Sequence, residues 1–571
     1  MSLYRWLHRI VSRRLPLFRL ELWSVHGKQI MIQSAINMGI LVLLAIFMST
    51  MVILTFMQEN SEPVAPVSTS NTILVTAHDS PEELKVLADY ICDGTADQVE
   101  IQRALNALGS AGGTVTLTEG TFQLDSNLNI PSNVVLEGQG PDATWLSWSS
   151  GRIMCEAQQN VVLRDFKTTG TGAIFLYNSD HVKVHNVTAT VDNSFYGGAF
   201  FLYVGNDVME DIEFVNCKAI DCGRHGWQSA GEGSPRVIRN IRYIDCEAIN
   251  CGRYSQYSPH GQWTCGFQLA ENADVEDCQV IRCYAEGNLE AGFIVEAAPK
   301  KTRFVLQDCV SKNNGQKPDD YYNGPDEGMS GCLFGAGFWI DGDMTLINCT
   351  AADNRKYGFA VWSSSSYTSL YNSTDAGSEI GHQPDRTDDV YRPLEGSHGI
   401  PVESGYQMQR KTSTYNGTSG SRENIGLSST DPDVHLYSCT DNRSTVGFWL
   451  VETHGVYLKD CSSLNARAYA IYALEAEGVT MENLCMTYPA GVNGNGTFFG
   501  TLAHPVLNSQ FDIIGQNSAD VRTVYGEGGR GLTFTGVIRT DHPEPVVIRG
   551  GSDVDTSGLR ILTGTEDSYW P

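Results

Sequence analysis

At 571 residues the chain is too long for one ordinary hydrophobic core, and that length suits a solenoid. Its 41% hydrophobic content and 10% aromatic content exclude a disordered chain. A net charge of −27 excludes attraction to nucleic-acid phosphates through bulk charge.

Residues 35–57 form a run of 23 residues without a charged side chain. At about 1.5 Å per helical residue the run can cross a bilayer. Arg5, Arg9, Arg13, Arg14, Arg19 and Lys28 precede it against Glu21 alone, a balance of +5, and Glu59 and Glu62 follow it. The positive-inside rule then puts residues 1–34 in the cytoplasm and the bulk of the chain outside, anchored in the cell membrane by one transmembrane helix. A cleaved signal peptide is the competing reading, but the run is long and shows no obvious small-x-small cleavage site. The basic, apolar stretch 3–23 reads either as a segment lying along anionic lipid or as a simple flank. Without the N-terminal excess the outer part stands at −32, which names no partner by itself. Six N-x-S/T sequons, at Asn186, Asn348, Asn372, Asn416, Asn442 and Asn495, agree with export.

A Pro/Ser/Thr linker at 58–72 leads into a predicted strand over 73–77. A helix follows. Asp97 and Glu100 have capping-box spacing, Ile101, Leu105 and Leu108 make an apolar stripe, and Gly112–Gly113 end it. Next comes GGTVTLTEGTFQL, alternating and turn-rich, then NIPSNVVLEGQG. The run from DGTADQVEIQRALNALGSAGG to NVVLEGQG resembles the N-terminal cap and first coils of the pectate-lyase-like right-handed parallel β-helix superfamily. The resemblance is close over 73–140 and continues by repeat pattern beyond. It implies an all-β solenoid over 73–571 with an N-terminal capping helix. It does not imply one activity, because lyases, hydrolases, epimerases and non-catalytic surface proteins share the fold. The anchor, the acidic outer part and the Cys-rich solenoid together resemble surface proteins of methanogenic archaea.

Short strands recur that end in Asp or Asn followed by an apolar residue: VVLRDF, VKVHNV, IEFVNC, IRYIDC, FVLQDC, MTLINC, VYLKDC. The apolar residues of this register are Phe166, Val187, Cys217, Cys246, Cys283, Cys309, Cys349, Cys439, Cys461 and Leu484. The shortest intervals are 21, 22 and 23 residues, one compact coil each; longer intervals mark loops, the longest an insertion at about 366–434. Phe and Leu replace Cys in this column, so the expectation is an inward stack of reduced thiols acting as small hydrophobes. A second column, Cys222 and Cys251, leaves a disulfide open. The residues just before the apolar column (Asp165, Asn186, Asn216, Asp245, Asp308, Asn348, Asp460) suit a strained turn and can bond coil to coil. This makes Asn186 and Asn348 poor glycan acceptors and leaves Asn372, Asn416, Asn442 and Asn495 as the better ones.

Most coils also hold a strand starting at Gly: GFQLAE, GFIVEA, GFWIDG, GFAVWS, GFWLVE. Alternation then puts Phe267, Phe293, Phe338, Phe359 and Phe448 inside, with Leu269, Val295, Ile340, Val361 and Leu450. The outward set becomes Phe175, Tyr177, Phe201, Tyr203, Glu296, Trp339, Asp341, Trp362, Trp449 and Tyr472. An aromatic stripe facing water needs a reason. It is either a track for sugar rings, with Trp339, Trp362, Trp449, Tyr177 and Tyr203 as substrate-binding candidates, or a face covered by loops or a partner.

Glu296 and Asp341 fall at the same offset on consecutive coils, where strands lie about 4.8 Å apart. Close like charges raise one carboxyl pKa, so the two are the candidate catalytic acid and base. They could equally hold Ca²⁺ as a cofactor, or pair with Arg or Lys. Asp319–Asp320 and Asp388–Asp389 read as solvated loop acids. His225, His260, His398 and His454 each precede Gly, but the Asp trio and Arg-x-Lys of polygalacturonases do not accompany them in order. No carboxylate set with the Arg base of a pectate lyase stands out. Two functions remain: a surface protein that binds and cleaves polysaccharide or cell-surface glycan, as hydrolase or lyase, or a non-catalytic adhesion or cell-envelope protein. Nucleic acid is excluded as a partner under both.

Overall fold

The computed structural model describes residues 71–192, 197–252, 264–295, 301–316, 335–340, 344–355, 357–363, 368–378, 404–410, 434–451, 455–487, 489, 491, 494–517 and 520–563. These residues belong to one unit, spanning 67–571. Among them no helix is long and apolar enough to cross a membrane. The 35–57 run lies outside them.

At the N-terminal end the strand Thr72–Thr76 pairs with Gly113–Leu117, and the helix Gln98–Ala107 buries Ile101, Ala104 and Leu105 against them. The capping helix is therefore present. The capping box is not, because Asp97 makes no side-chain cap bond. Its carboxylate instead accepts the amides of Gly94 (2.8 Å) and Gln123 (2.7 Å), tying the turn before the helix to the following strand.

Beyond the cap the chain climbs in three parallel ladders. The first contains Ile153–Glu156, Ile174–Tyr177, the start of Phe200–Val215, the start of Trp227–Ile244, Cys265–Glu271, Ala291–Val295, Ala336–Ile340, Tyr357–Ser363, Ser404–Arg410, Val446–Val451, Tyr469–Leu474 and Thr497–Phe499. The second follows each turn, as in Asp274–Ile281, Lys301–Gln307, Met344–Ile347, Thr368–Tyr371 and Val434–Tyr437. The third is three residues wide, from Lys218–Ile220 through Glu247–Ile249, Tyr284–Glu286, Val310–Lys312, Thr350–Ala352, Thr374–Ala376 and Thr440–Asn442 to Ser462–Leu464.

The 366–434 stretch is thus not one insertion. Thr368–Tyr371 and Thr374–Ala376 continue the second and third ladders, and Ser404–Arg410 continues the first. Their polar composition hid the strands.

Alternation decides the core. Phe200, Trp227, Phe267, Phe293, Phe338 and Phe359 are register partners on consecutive coils, and each is fully buried. Their rings stack at centroid distances of 4.0, 5.5, 4.7, 5.0 and 4.9 Å. The Cys column is also inside: Cys217, Cys246, Cys283, Cys309, Cys349, Cys439 and Cys461 are free thiols with 1% exposure or less, and Leu484 continues them. Cys222 and Cys251 are free and buried as well.

Every expected turn residue has a positive φ, from 52° at Asn186 to 62° at Asp165. This left-handed conformation suits Asn and Asp, whose short polar side chains bond locally. They also bond along the column: Asn186 Nδ2 donates to Asp165 Oδ1 (2.7 Å), Asn216 Nδ2 to Asn186 Oδ1 (3.2 Å) and Asn348 Nδ2 to Asp308 Oδ1 (3.1 Å).

Candidate functional site

The outward positions of the first ladder carry the candidate surface. Phe175 and Phe201 are register partners, as are Tyr177 and Tyr203. All four are half-exposed. The rings form a two-by-two block: Phe175–Phe201 at 5.0 Å, Tyr177–Tyr203 at 5.9 Å, Phe175–Tyr177 at 6.2 Å and Phe201–Tyr203 at 5.6 Å. The Arg152 guanidinium lies 5.9 Å from the Phe175 centroid, within cation–π range.

The Asn178 side chain ties the block to the main chain of the next coil. Asn178 Nδ2 donates to the Gly205 carbonyl (3.0 Å), and the Gly205 amide donates to Asn178 Oδ1 (2.7 Å). A Cβ at Gly205 would sit 2.7 Å from the Tyr177 hydroxyl oxygen, so glycine here leaves room for that phenol.

Polar groups border the rings on the next coils. Glu232 is the register partner of Gly205, and Glu271 of Ala230. Burial, the hydrogen bond to Glu232 and its charge push the Tyr203 phenol up to about 12, so it stays a donor at neutral pH. Gln228 is 4% exposed; its Nε2 donates to Glu271 Oε2 (2.7 Å), while its Oε1 is buried without a hydrogen-bond partner. Gln268 lies beside it in register. Sequence reasoning passed over Gln228, Glu232, Glu271 and Gly205. A signal for the glutamines is present in the sequence, in GWQ and GFQ on consecutive coils.

The other sequence candidates fall in different places. Trp339 is 3% and Trp449 1% exposed, so neither offers a free ring face. Trp449 stacks on Tyr472 at 4.5 Å, and Tyr472 on Phe498 at 5.2 Å. Trp339 packs with Cys265, Ile294, Ala336, Tyr357 and Ala360. These rings match the covered-face reading, not the track. Only the backbone of Trp362 is described, within Tyr357–Ser363. Glu296 and Asp341 lie outside the described residues; the residues before them, Val295 and Ile340, are register partners on paired strands.

Asn372 belongs to the left-handed turn column, with φ 49°, and is exposed. Asn442 is half-buried at a strand end, Asn495 is 6% exposed and bonded to Arg522, and Asn416 lies outside the described residues. Of the four acceptors, Asn495 lacks the exposure a glycan needs.

His225 is 1% exposed. Its Nδ1 accepts the Cys265 amide (3.3 Å), its Nε2 has no partner, and burial drives its pKa well down, so the ring is neutral. His260, His398 and His454 lie outside the described residues.

Among the described residues, two groups bring three potential metal ligands together. In one, Cys92, Asp97 and Glu100, burial pushes the Cys92 thiol far up and the Asp97 carboxylate is engaged by two amides. In the other, His181 Nε2 contacts Asp211 Oδ2 (3.1 Å) and Glu210 faces Arg239 (3.6 Å). Both sets are satisfied by protein partners.

Residues 153–375 match a family described as right handed beta helix region. This segment is a right-handed β-helix. No curated protein sequence matches the chain. Among solved structures, the A-module of mannuronan C-5 epimerase AlgE4 from Azotobacter vinelandii aligns at 12% identity and TM-score 0.29, covering 83% of this chain and 96% of that one. Bacteriophage phi29 gene product 12 aligns at 13% and 0.34, covering 82% and 55%. Pectate lyase Pel9A aligns at 14% and 0.32, covering 66% and 77%. At such scores the likeness says nothing about the chemistry of this β-helix.

Proposed function

We propose that this β-helix binds polysaccharide or cell-surface glycan on the Phe175–Tyr177–Phe201–Tyr203 block, outside a cell to which residues 35–57 anchor it. The observation that carries the reading is the block itself: four adjoining half-exposed rings bordered by Glu232, Glu271 and the Tyr203 phenol. A pyranose ring has apolar C–H faces and hydroxyls around its edge. Flat rings take the faces, and carboxylates and amides take the hydroxyls. Carboxylates at the border favour a neutral sugar over an acidic one, since like charges repel.

Cleavage is the finer part of the proposal and rests on Glu296 and Asp341. They follow register partners Val295 and Ile340, and a separation near 5 Å would suit a retaining glycosidase pair.

The test is a glycan-array screen of the full chain in detergent, with product release measured on each bound glycan. Binding lost in Tyr177→Ala and Tyr203→Ala supports the block. Product release abolished in Glu296→Gln and Asp341→Asn, with binding kept, supports the acid pair. Binding without product in any variant makes this an adhesive or envelope protein, and no binding to any glycan rejects the proposal.

A further inference from the structure

Inside the third ladder one position repeats on successive coils: Ala219, Ala248, Ala285, Ser311, Ala351, then Asp375, Asp441 and Ser463. Three residues further along each of the middle coils stands a buried Asn: Asn288, Asn314 and Asn354. Their amides run coil to coil, Asn288 Nδ2 to Asn314 Oδ1 (2.8 Å) and Asn314 Nδ2 to Asn354 Oδ1 (3.0 Å). At the next two coils that Asn becomes Ser378 and Ser444, and the small residue becomes Asp375 and Asp441. Volume and polarity have exchanged sides.

The exchange leaves a donor deficit. Asp375 and Asp441 are register partners and neither has any exposed surface. Ser378 Oγ donates to Asp375 Oδ1, Ser444 Oγ to Asp375 Oδ2 (2.6 Å) and Ser463 Oγ to Asp441 Oδ2 (3.3 Å). Asp441 Oδ1 is buried with no donor. An amide run brings its own N–H at every step, whereas two facing carboxylates have only acceptors.

We infer that Asp375 and Asp441 share one proton inside the solenoid, and that its loss to solvent sets two facing carboxylates against each other and loosens the coils they join. The Ser444–Asp375 bond spans 69 residues of sequence, so the pair closes the longest excursion between neighbouring coils of the third ladder. The nearest described cations point elsewhere: Arg443 is exposed and Arg467 donates to Thr445 Oγ1 (3.0 Å), while Arg410 ends the adjoining strand Ser404–Arg410. Asp353 adds a like charge to Asp375, Cys349, Cys439 and Cys461 are buried thiols in the next column, and Val446–Val451 carries no ionisable residue. Burial raises both carboxyls, Asp375 to about 6 and Asp441 well above the usual carboxylate range, where the Asp375 charge adds to the rise. A carboxyl raised in the folded state stabilises at low pH. That stability is lost as pH climbs from the unfolded value near 4 towards the folded one. The loss therefore begins near pH 4 and runs through about pH 6 for Asp375, with Asp441 adding to it in the same direction.

The test compares the full chain with Asp375→Asn and Asp441→Asn by thermal unfolding from pH 5 to pH 9, beside infrared spectra. An Asn at either position supplies a permanent donor. The expected result is a variant midpoint that gains on wild type as pH rises, by roughly 2 °C or more at the alkaline end. A protonated-carboxyl stretch should be present at pH 7 in wild type and missing in Asp441→Asn, which leaves only Asp375. If one variant fails to fold, the other and the wild-type infrared titration still decide. A midpoint difference that does not change with pH, or no protonated carboxyl at pH 7, overturns the inference. Stabilisation of wild type by Ca²⁺ that is absent in Asp441→Asn also overturns it, because a cation would then fill the place of the proton.

Discussion

Asn314 is the middle of a buried amide run in which each donor finds an acceptor. Its Oδ1 takes the Asn288 backbone and side-chain N–H groups, and its Nδ2 serves the Ala285 carbonyl, Ser311 and Asn354. Asn314→Ala leaves donors of Asn288 and the Asn354 oxygen short of partners in a dry interior. It should cost about 3 kcal/mol in denaturant unfolding, and a cost near zero would contradict the account. At this scale the turn residues were legible in the sequence: a left-handed position beside an apolar column calls for Asn or Asp, and Asp165, Asn186 and Asn216 fill it. Asp97 was misread because a cap and a strand tether use the same carboxylate, and only the position of Gln123 separates them. Asp375 and Asp441 were invisible as a pair, since sequence spacing does not reveal which residues become register partners across a long excursion.

At the scale of elements, the first ladder has two faces with opposite fates. The inward face stacks aromatic rings from Phe200 to Phe359. Phe293→Ala removes a ring from the centre of that stack and should cost about 3–5 kcal/mol. Because each coil contacts only its neighbours, hydrogen exchange should rise first in Cys265–Glu271, Ala291–Val295 and Ala336–Ile340, with the cap strands protected. Uniform loss of protection would argue against nearest-neighbour stability. The period-2 pattern of GFQL and GFWL made this face readable. The outward face was not readable from pattern alone, because Tyr177 and Trp449 have the same register sense and differ only in what covers them: Tyr177 is half-exposed and Trp449 1% exposed. Gly205→Val places a branched side chain against the Tyr177 hydroxyl, so it should displace that ring and weaken glycan binding several-fold. An unchanged affinity would mean that the Tyr177 ring takes no part.

At the scale of the whole molecule, the solenoid sets rings on consecutive coils side by side, which turns single aromatics into a surface. The central claim is that the block on residues 175–203 is where this β-helix holds sugar. The most direct test is the affinity of the full chain for its best-bound oligosaccharide, measured by calorimetry for wild type, Tyr177→Ala, Tyr203→Ala and Trp449→Phe. The account predicts at least a tenfold loss, about 1.4 kcal/mol, for each tyrosine variant and an unchanged affinity for the buried tryptophan variant. Full affinity in both tyrosine variants, or a loss only in Trp449→Phe, would contradict it.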